Sequence, residues 1–182
     1  MALVIVLAAV AVLLIAVALI YNRLVGLRNR TDNAWSQVDV QLRRRYDLIP
    51  NLVEAVKGYA AHEAETFQAV VEARNSAQAA RTVEEQAEAE NLLGSMLRRL
   101  FALAEAYPQL RATENFQRLQ SDLSDTEDKI AVARQIYNDT VLSYNNAVQM
   151  IPTNLVAAAT GFRARPFFEV EDDARSVPKV EF

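Results

Sequence analysis

The chain has 182 residues, no cysteine, one histidine and a formal net charge of −4. The missing cysteines exclude a disulfide frame, a thiolate metal site and a Cys nucleophile, and a lone His excludes a His cluster or an HExxH zinc site. Four Gly and five Pro in a chain rich in Ala, Leu, Gln, Glu and Arg are the composition of helices, and the length fits one domain with an appendage.

The first element is residues 1–20, MALVIVLAAVAVLLIAVALI, which carry no polar side chain. Twenty helical residues rise about 30 Å, the hydrocarbon thickness of a bilayer. We expect a single-pass transmembrane helix over 1–21, contacting membrane lipids, with Tyr21, Arg23, Arg28 and Arg30 at the interface. No Lys or Arg precedes the segment, so the positive-inside rule places the N-terminus outside and the rest of the chain in the cytoplasm. A signal peptide is the competing reading. Ala16-Val17-Ala18 imitates a cleavage site, but no basic n-region comes first and the apolar run is longer than an h-region.

From Tyr21 to about Tyr107, apolar or small residues recur at helical spacing, mostly in steps of three and four, through Leu24, Leu27, Thr31, Ala34 or Trp35, Val38, Leu42, Tyr46, Ile49, Leu52 or Val53, Val56, Tyr59 or Ala60, Phe67 and Val70. That is one buried helical stripe. Pro50 interrupts it and must kink or end the helix. The preserved phase favours a kink, whereas matched lengths of 21–49, 51–80 and 84–107 favour a turn. Thr82-Val-Glu-Glu85 reads as a capping box that opens a helix near Val83. This helix buries Leu92, Leu93, Met96, Leu97, Leu100, Phe101 and Leu103 and stops at Pro108. A last long helix begins near Thr113, with its stripe on Phe116, Leu119, Leu123, Ile130, Tyr137, Val141, Tyr144 and Val148, and ends at Pro152. Short links make such helices antiparallel. The expected fold is all-α: a membrane helix, then an antiparallel up-and-down bundle over 22–160 with four helices, or three if Pro50 only kinks the chain.

Residues 161–182, GFRARPFFEVEDDARSVPKVEF, break the pattern. Four of the seven Phe lie here, at Phe162, Phe167, Phe168 and Phe182, and a free tail would not carry so many aromatics. This extended aromatic tail is expected to dock on its own bundle or on a neighbour.

Charge is unevenly spread. Residues 21–60 hold seven Lys/Arg against four Asp/Glu, while 61–105 hold four against eight. The basic end adjoins the membrane, where anionic headgroups attract it. The acidic bulk argues against nucleic acid as a partner.

Several clusters invite a chemical reading. Arg43, Arg44 and Arg45 point about 100° apart and cannot share a face, so salt bridges within and between helices are favoured over an anion site. His62 with Glu63 and Glu65 lacks the second His-bearing helix of a diiron bundle. The acidic run Asp122, Asp125, Glu127 and Asp128 lacks a calcium loop's glycine and spacing and reads as a solvated face. Tyr137-Asn138 and Tyr144-Asn145 repeat at seven residues beside Arg134, so both tyrosines face one way. A polar layer that sets helix register, with Trp35 or the 43–47 stretch as partner, is favoured over a ligand site. No nucleophile–base pair with an orienting third group can be named. We therefore expect no enzyme activity and no cofactor or metal.

The motifs Tyr21-Asn-Arg-Leu-Val-Gly-Leu-Arg28, Ala34-Trp35, Arg44-Arg-Tyr-Asp-Leu-Ile-Pro-Asn-Leu-Val53, Tyr59-Ala-Ala-His-Glu63, Thr126-Glu127, Ala133-Arg-Gln-Ile-Tyr-Asn138, Tyr144-Asn145 and Pro152 together resemble the LemA family across nearly the whole chain. The resemblance implies a bacterial inner-membrane protein with one span and a four-helix antiparallel bundle, which tips Pro50 toward a turn. It implies no catalytic activity. It also links relatives to membrane biogenesis in magnetosome formation or to envelope stress. Arg44, Arg45, Asp47, Pro50, Asn51, Arg134, Tyr137, Asn138, Tyr144 and Asn145 carry over as family-defining positions for interaction or structure.

The expected function is a membrane-anchored helical scaffold that forms homo-oligomers, since anchoring in a plane raises effective concentration. An adaptor for another membrane protein, such as a protease or transporter, is the alternative. A ligand binder built on Arg134, Tyr137 and Asn138 is the third reading.

Overall fold

A computed structural model of the protein describes residues 1–60 and 62–170. Phe182, the last of the tail phenylalanines singled out above, lies outside the described residues. The described chain is all-α, with no strand. Its helices are α1 (Ala2–Lys57), α2 (Ala64–Ala79), α3 (Val83–Glu105), α4 (Pro108–Arg111), α5 (Glu114–Gln149) and α6 (Thr153–Thr160).

The turn favoured at Pro50 does not occur, because α1 passes through that residue and the chain first leaves the helix at Gly58. A proline inside a helix removes the N–H that would bond the carbonyl four residues earlier. Here that carbonyl belongs to Tyr46, and Arg74 Nε on α2 donates to it at 2.8 Å. The Pro50 ring itself is exposed. The four long helices are thus α1, α2, α3 and α5, divided at different points from the equal rods expected.

The capping box forms as read. Glu85 N donates to Thr82 Oγ1 at 3.1 Å, and Thr82 N donates to Glu85 Oε2 at 3.3 Å. These bonds satisfy donors that a helix N-terminus otherwise leaves unpaired. Pro108 opens α4 at a position where its missing N–H costs nothing.

The expected core face of α3 needs one correction. Leu93, Leu97, Leu100 and Ala104 are buried at steps of four, three and four, whereas Leu92 is exposed. Leu92 sits about 100° from Leu93 around the helix, so only one of the two can face inward. Met96, Phe101 and Leu103 flank the face and are half-buried.

The chain divides into two compact units. The first comprises Met1–Val40 and Ile130–Phe167; the second comprises Gln41–Lys129 with the described residues from Phe168 onward. In the first unit, Leu24, Tyr144, Ala147, Val156, Ala157 and Phe162 form a buried cluster, flanked by Ile20, Val25, Leu27 and Val148. Burying one such side chain contributes about 1.5–3 kcal/mol. Trp35 packs on Tyr137, with ring centroids 5.1 Å apart, while Leu24 lies with Tyr144 and Ala147. Numbers rise along α1 as they fall along α5, so the two segments run antiparallel. In the second unit the large buried side chains include Leu42, Ile49, Leu52, Leu93, Leu100, Leu110 and Phe116.

The N-terminal part of α1 is different in kind. Its most apolar 18-residue window has a mean hydropathy of 3.5 and no buried residue. By length and composition it can cross a membrane.

Candidate functional site

Two buried polar clusters stand out, one in each unit. The cluster of the second unit is built on Arg45 and Tyr46, neighbours on the inward side of α1. Arg45 lies one turn from Leu42 and from Ile49, both buried, so helical periodicity carries a guanidinium into the core. Its Nη1 donates to both carboxylate oxygens of Glu127 on α5, at 2.8 and 3.0 Å, and its Nη2 pairs with Glu90 on α3. The Tyr46 hydroxyl donates to Glu90 Oε1 and accepts from Gln86 Nε2 at 2.8 Å. Gln86 Nε2 also reaches Ala77 O at 3.1 Å and Glu90 Oε1 at 2.8 Å. Arg45 and Glu90 are both nearly inaccessible to solvent. A charge so placed is held only by a partner and further hydrogen bonds. The chemistry is that of a lock between helices, with the Tyr46 hydroxyl both donating to and accepting from protein groups.

Glu127 thereby departs from the solvated face assigned to the acidic run: it is half-buried, while Asp125 and Asp128 remain exposed. Glu127 follows the buried Leu123 by four residues and the buried Thr126 by one, which turns it toward the core edge.

The cluster of the first unit is built on the Tyr-Asn repeat of α5. Tyr137, Tyr144 and Asn145 are buried; Asn138 and Arg134 are half-buried. Trp35 packs on Tyr137 as expected, and the returning segment after α6 is a further partner of this layer. Tyr137 Oη donates to Pro166 O at 3.0 Å. Asn145 Nδ2 donates to Arg165 O at 2.9 Å, and Arg165 N donates to Asn145 Oδ1 at 2.8 Å. Arg165 pairs with Asp32 on α1 and lies 6.0 Å over the Tyr144 ring. Burial pushes the Tyr144 phenol above its ordinary range; the Arg165 and Arg28 guanidinium groups and a backbone hydrogen bond from Arg163 pull the other way.

The tail phenylalanines divide. Phe162 is buried, edge-on to Tyr21 with centroids 5.7 Å apart and with Arg28 stacked 5.2 Å above its ring. Phe168 is buried, and Phe167 is largely exposed. Residues 162–166 thus dock within the first unit, on the chain's own α1 and α5. Tyr21, Arg23, Arg28 and Arg30 are exposed, as are Arg44, Asp47, Pro50 and Asn51, and the lone His62. Among the described residues, no group of three or more His, Asp or Glu is placed to hold a metal ion.

Sequence reasoning missed Arg74, Gln86, Glu90, Asp32 and Arg165. A signal for two of them was present. Gln86 stands two turns and Glu90 one turn ahead of Leu93 on the same face, so polar groups occupied core positions. Arg74, Asp32 and Arg165 carry no comparable local signal, because their partners are far away in the chain.

The LemA family model matches residues 34–182. The chain belongs to the LemA family. It is similar to magnetosome protein MamQ 2 of Paramagnetospirillum magneticum, 27% identical over 186 residues that cover 88% of this chain and 68% of the relative. It is also similar to magnetosome protein MamQ of Magnetospirillum gryphiswaldense, at 25% identity with the same coverage. Protein LemA of Metamycoplasma hominis is 24% identical over 75% of this chain and 63% of the relative. Within the LemA match lie Arg45, Tyr46, Glu90 and Glu127 of one cluster and Tyr137, Asn145 and Arg165 of the other.

Proposed function

We propose that this LemA-family chain is a non-enzymatic, membrane-anchored helical scaffold that assembles with copies of itself at a bacterial inner membrane, its bundle on the cytoplasmic side. The observation that carries the proposal is α1. Residues 2–19 are exposed along their whole length, and the same helix continues into the packed residues from Leu24 onward. An exposed apolar helix of this size is stable only in lipid or against a partner. The buried polar side chains tie helices and the returning segment together, which suits a rigid interaction surface more than a reacting centre. Exposed Val132 and Ile136 on α5, the latter lining a shallow groove of about 220 Å³, offer apolar surface for self-contact. The likeness to magnetosome proteins supports membrane organisation as the process served.

The test uses the absence of native cysteine. Single cysteines replacing Leu14, Val132 and the exposed Ser121 are introduced into the full chain. In intact cells, Ser121→Cys should resist a membrane-impermeant maleimide until lysis; labelling before lysis would reverse the orientation. Crosslinking through Val132→Cys should trap homodimers in membranes. A monomer in membranes that co-purifies with one abundant partner would instead favour the adaptor role.

A further inference from the structure

The chain reverses direction at one end of the first unit, between α5 and α6, and this corner is apolar. Met150, Ile151 and Leu155 are 62%, 84% and 68% exposed, and Ala158 and Ala159 are exposed beside them on α6. Residues 140–162 contain no charged side chain at all. Thr153 at the corner is buried. Thr153 Oγ1 donates to Ala147 O and to Met150 O, the latter at 2.7 Å. The first carbonyl lies in the last turn of α5 and the second just beyond its end at Gln149, where partners inside the helix run out. At the far end of α6, Gly161 takes a left-handed φ of 78°, and Phe162 N closes the helix on Ala157 O at 3.0 Å.

Register along α1 places this corner. Trp35 lies against Tyr137, and Leu24 against Tyr144 and Ala147. Continuing the antiparallel pairing brings Met150 and Ile151 level with Ile20 and Tyr21, where the exposed apolar run of α1 ends. The returning segment gives the same answer independently. Phe162 meets Tyr21 and Arg28, Arg165 meets Asp32, and Pro166 meets Tyr137. The chain therefore climbs back from the level of Tyr21, and α6 sits at the bottom of that climb.

We infer that the α5–α6 corner is a second membrane contact: Met150, Ile151 and Leu155 enter the interfacial layer of the same bilayer that α1 crosses. The inference rests on residues 2–20 being a span. The occupant is a lipid surface because the patch is continuous with the end of that span, carries no charge, and is bordered by cations that suit headgroup depth: the exposed Arg23 and Arg28 on α1, the latter over Phe162, and the exposed Arg163 just after α6. A helix crossing at one point leaves the unit free to tilt and rotate. A second contact beside the span fixes how the first unit stands on the membrane.

The test places nitroxide labels on single cysteines of the full chain in lipid nanodiscs holding one copy each. The sites are Ile151→Cys, Leu155→Cys, Leu14→Cys in the span and the exposed Gln37→Cys as an aqueous reference. Labels at 151 and 155 should collide more with oxygen than with a water-soluble nickel chelate, the reverse of the ratio at 37. A label at Ala158→Cys should lose its lipid signature when Met150, Ile151 and Leu155 are all changed to Ser, which separates insertion by the protein from insertion by the probe. A lipid signature at 14 with an aqueous one at 151 and 155 overturns the second contact and leaves the span standing. An aqueous signature at 14 overturns the span reading. Protection at 151 that appears only when several copies share a membrane assigns the patch to a second copy and overturns the lipid proposal.

Discussion

Arg74 Nε donates to the Tyr46 carbonyl at 2.8 Å, filling the vacancy that Pro50, four residues further on, leaves in the α1 hydrogen-bond ladder. A side chain from the next helix thus replaces a backbone donor, and α1 survives its proline.

This pairing predicts a measurable coupling. Arg74→Ala should cost about 1.5–3 kcal/mol, the range for a hydrogen bond from a charged donor. In a Pro50→Ala background the backbone N–H of residue 50 would bond Tyr46 O by itself, and the same change should cost well under half as much. A double-mutant cycle by chemical denaturation of the detergent-solubilised chain reads the difference. Equal costs in both backgrounds would show that Arg74 does not serve the proline.

The Arg45–Glu90 pair predicts an asymmetry. Glu90→Ala leaves Arg45 with the half-exposed Glu127 alone and should cost about 3–5 kcal/mol, as should Arg45→Ala. Replacing both by Met removes the charges together and should be milder than either single change. Denaturation midpoints of the three variants decide this, and a double variant weaker than both singles would contradict it.

Asn145 holds the returning segment by two bonds to one backbone unit, that of Arg165. Asn145→Ala should cost about 2 kcal/mol, at roughly 1 kcal/mol per bond, and should loosen residues 162–166 before the rest of the unit. Brief trypsin digestion should then cut after Arg163 faster than in the parent chain, the bond after Arg165 being protected by Pro166. Unchanged cleavage at Arg163 would show that the segment is held by its packing alone.

Tyr144 predicts an alkaline limb of stability. Its folded pKa is raised, chiefly by burial, so above about pH 10 the unfolded chain loses this proton first. The contribution is therefore complete below that pH and is lost as pH rises through the folded value. Denaturation midpoints between pH 8.5 and 11 should fall more steeply for the parent than for Tyr144→Phe. Parallel curves would remove the effect.

What was legible in the sequence was whatever local pattern encodes. The apolar run to Ile20, the capping box at Thr82 and Glu85, the helix stops near Pro108 and Pro152 and the inward tyrosines of α5 all follow from spacing and side-chain type. The family followed from motif strings. Tertiary structure alone decided the rest. Pro50 does not break α1, because its compensation comes from Arg74, in a different helix. Glu127 leaves the solvated face for a guanidinium 82 residues away in sequence. Residues 162–166 fold back on the first unit, because Asn145, Tyr137 and Asp32 each offer them a partner. Periodicity records which side of a helix is buried; it does not record which distant polar group waits there. That depends on register between helices, which is set by the packing of whole faces.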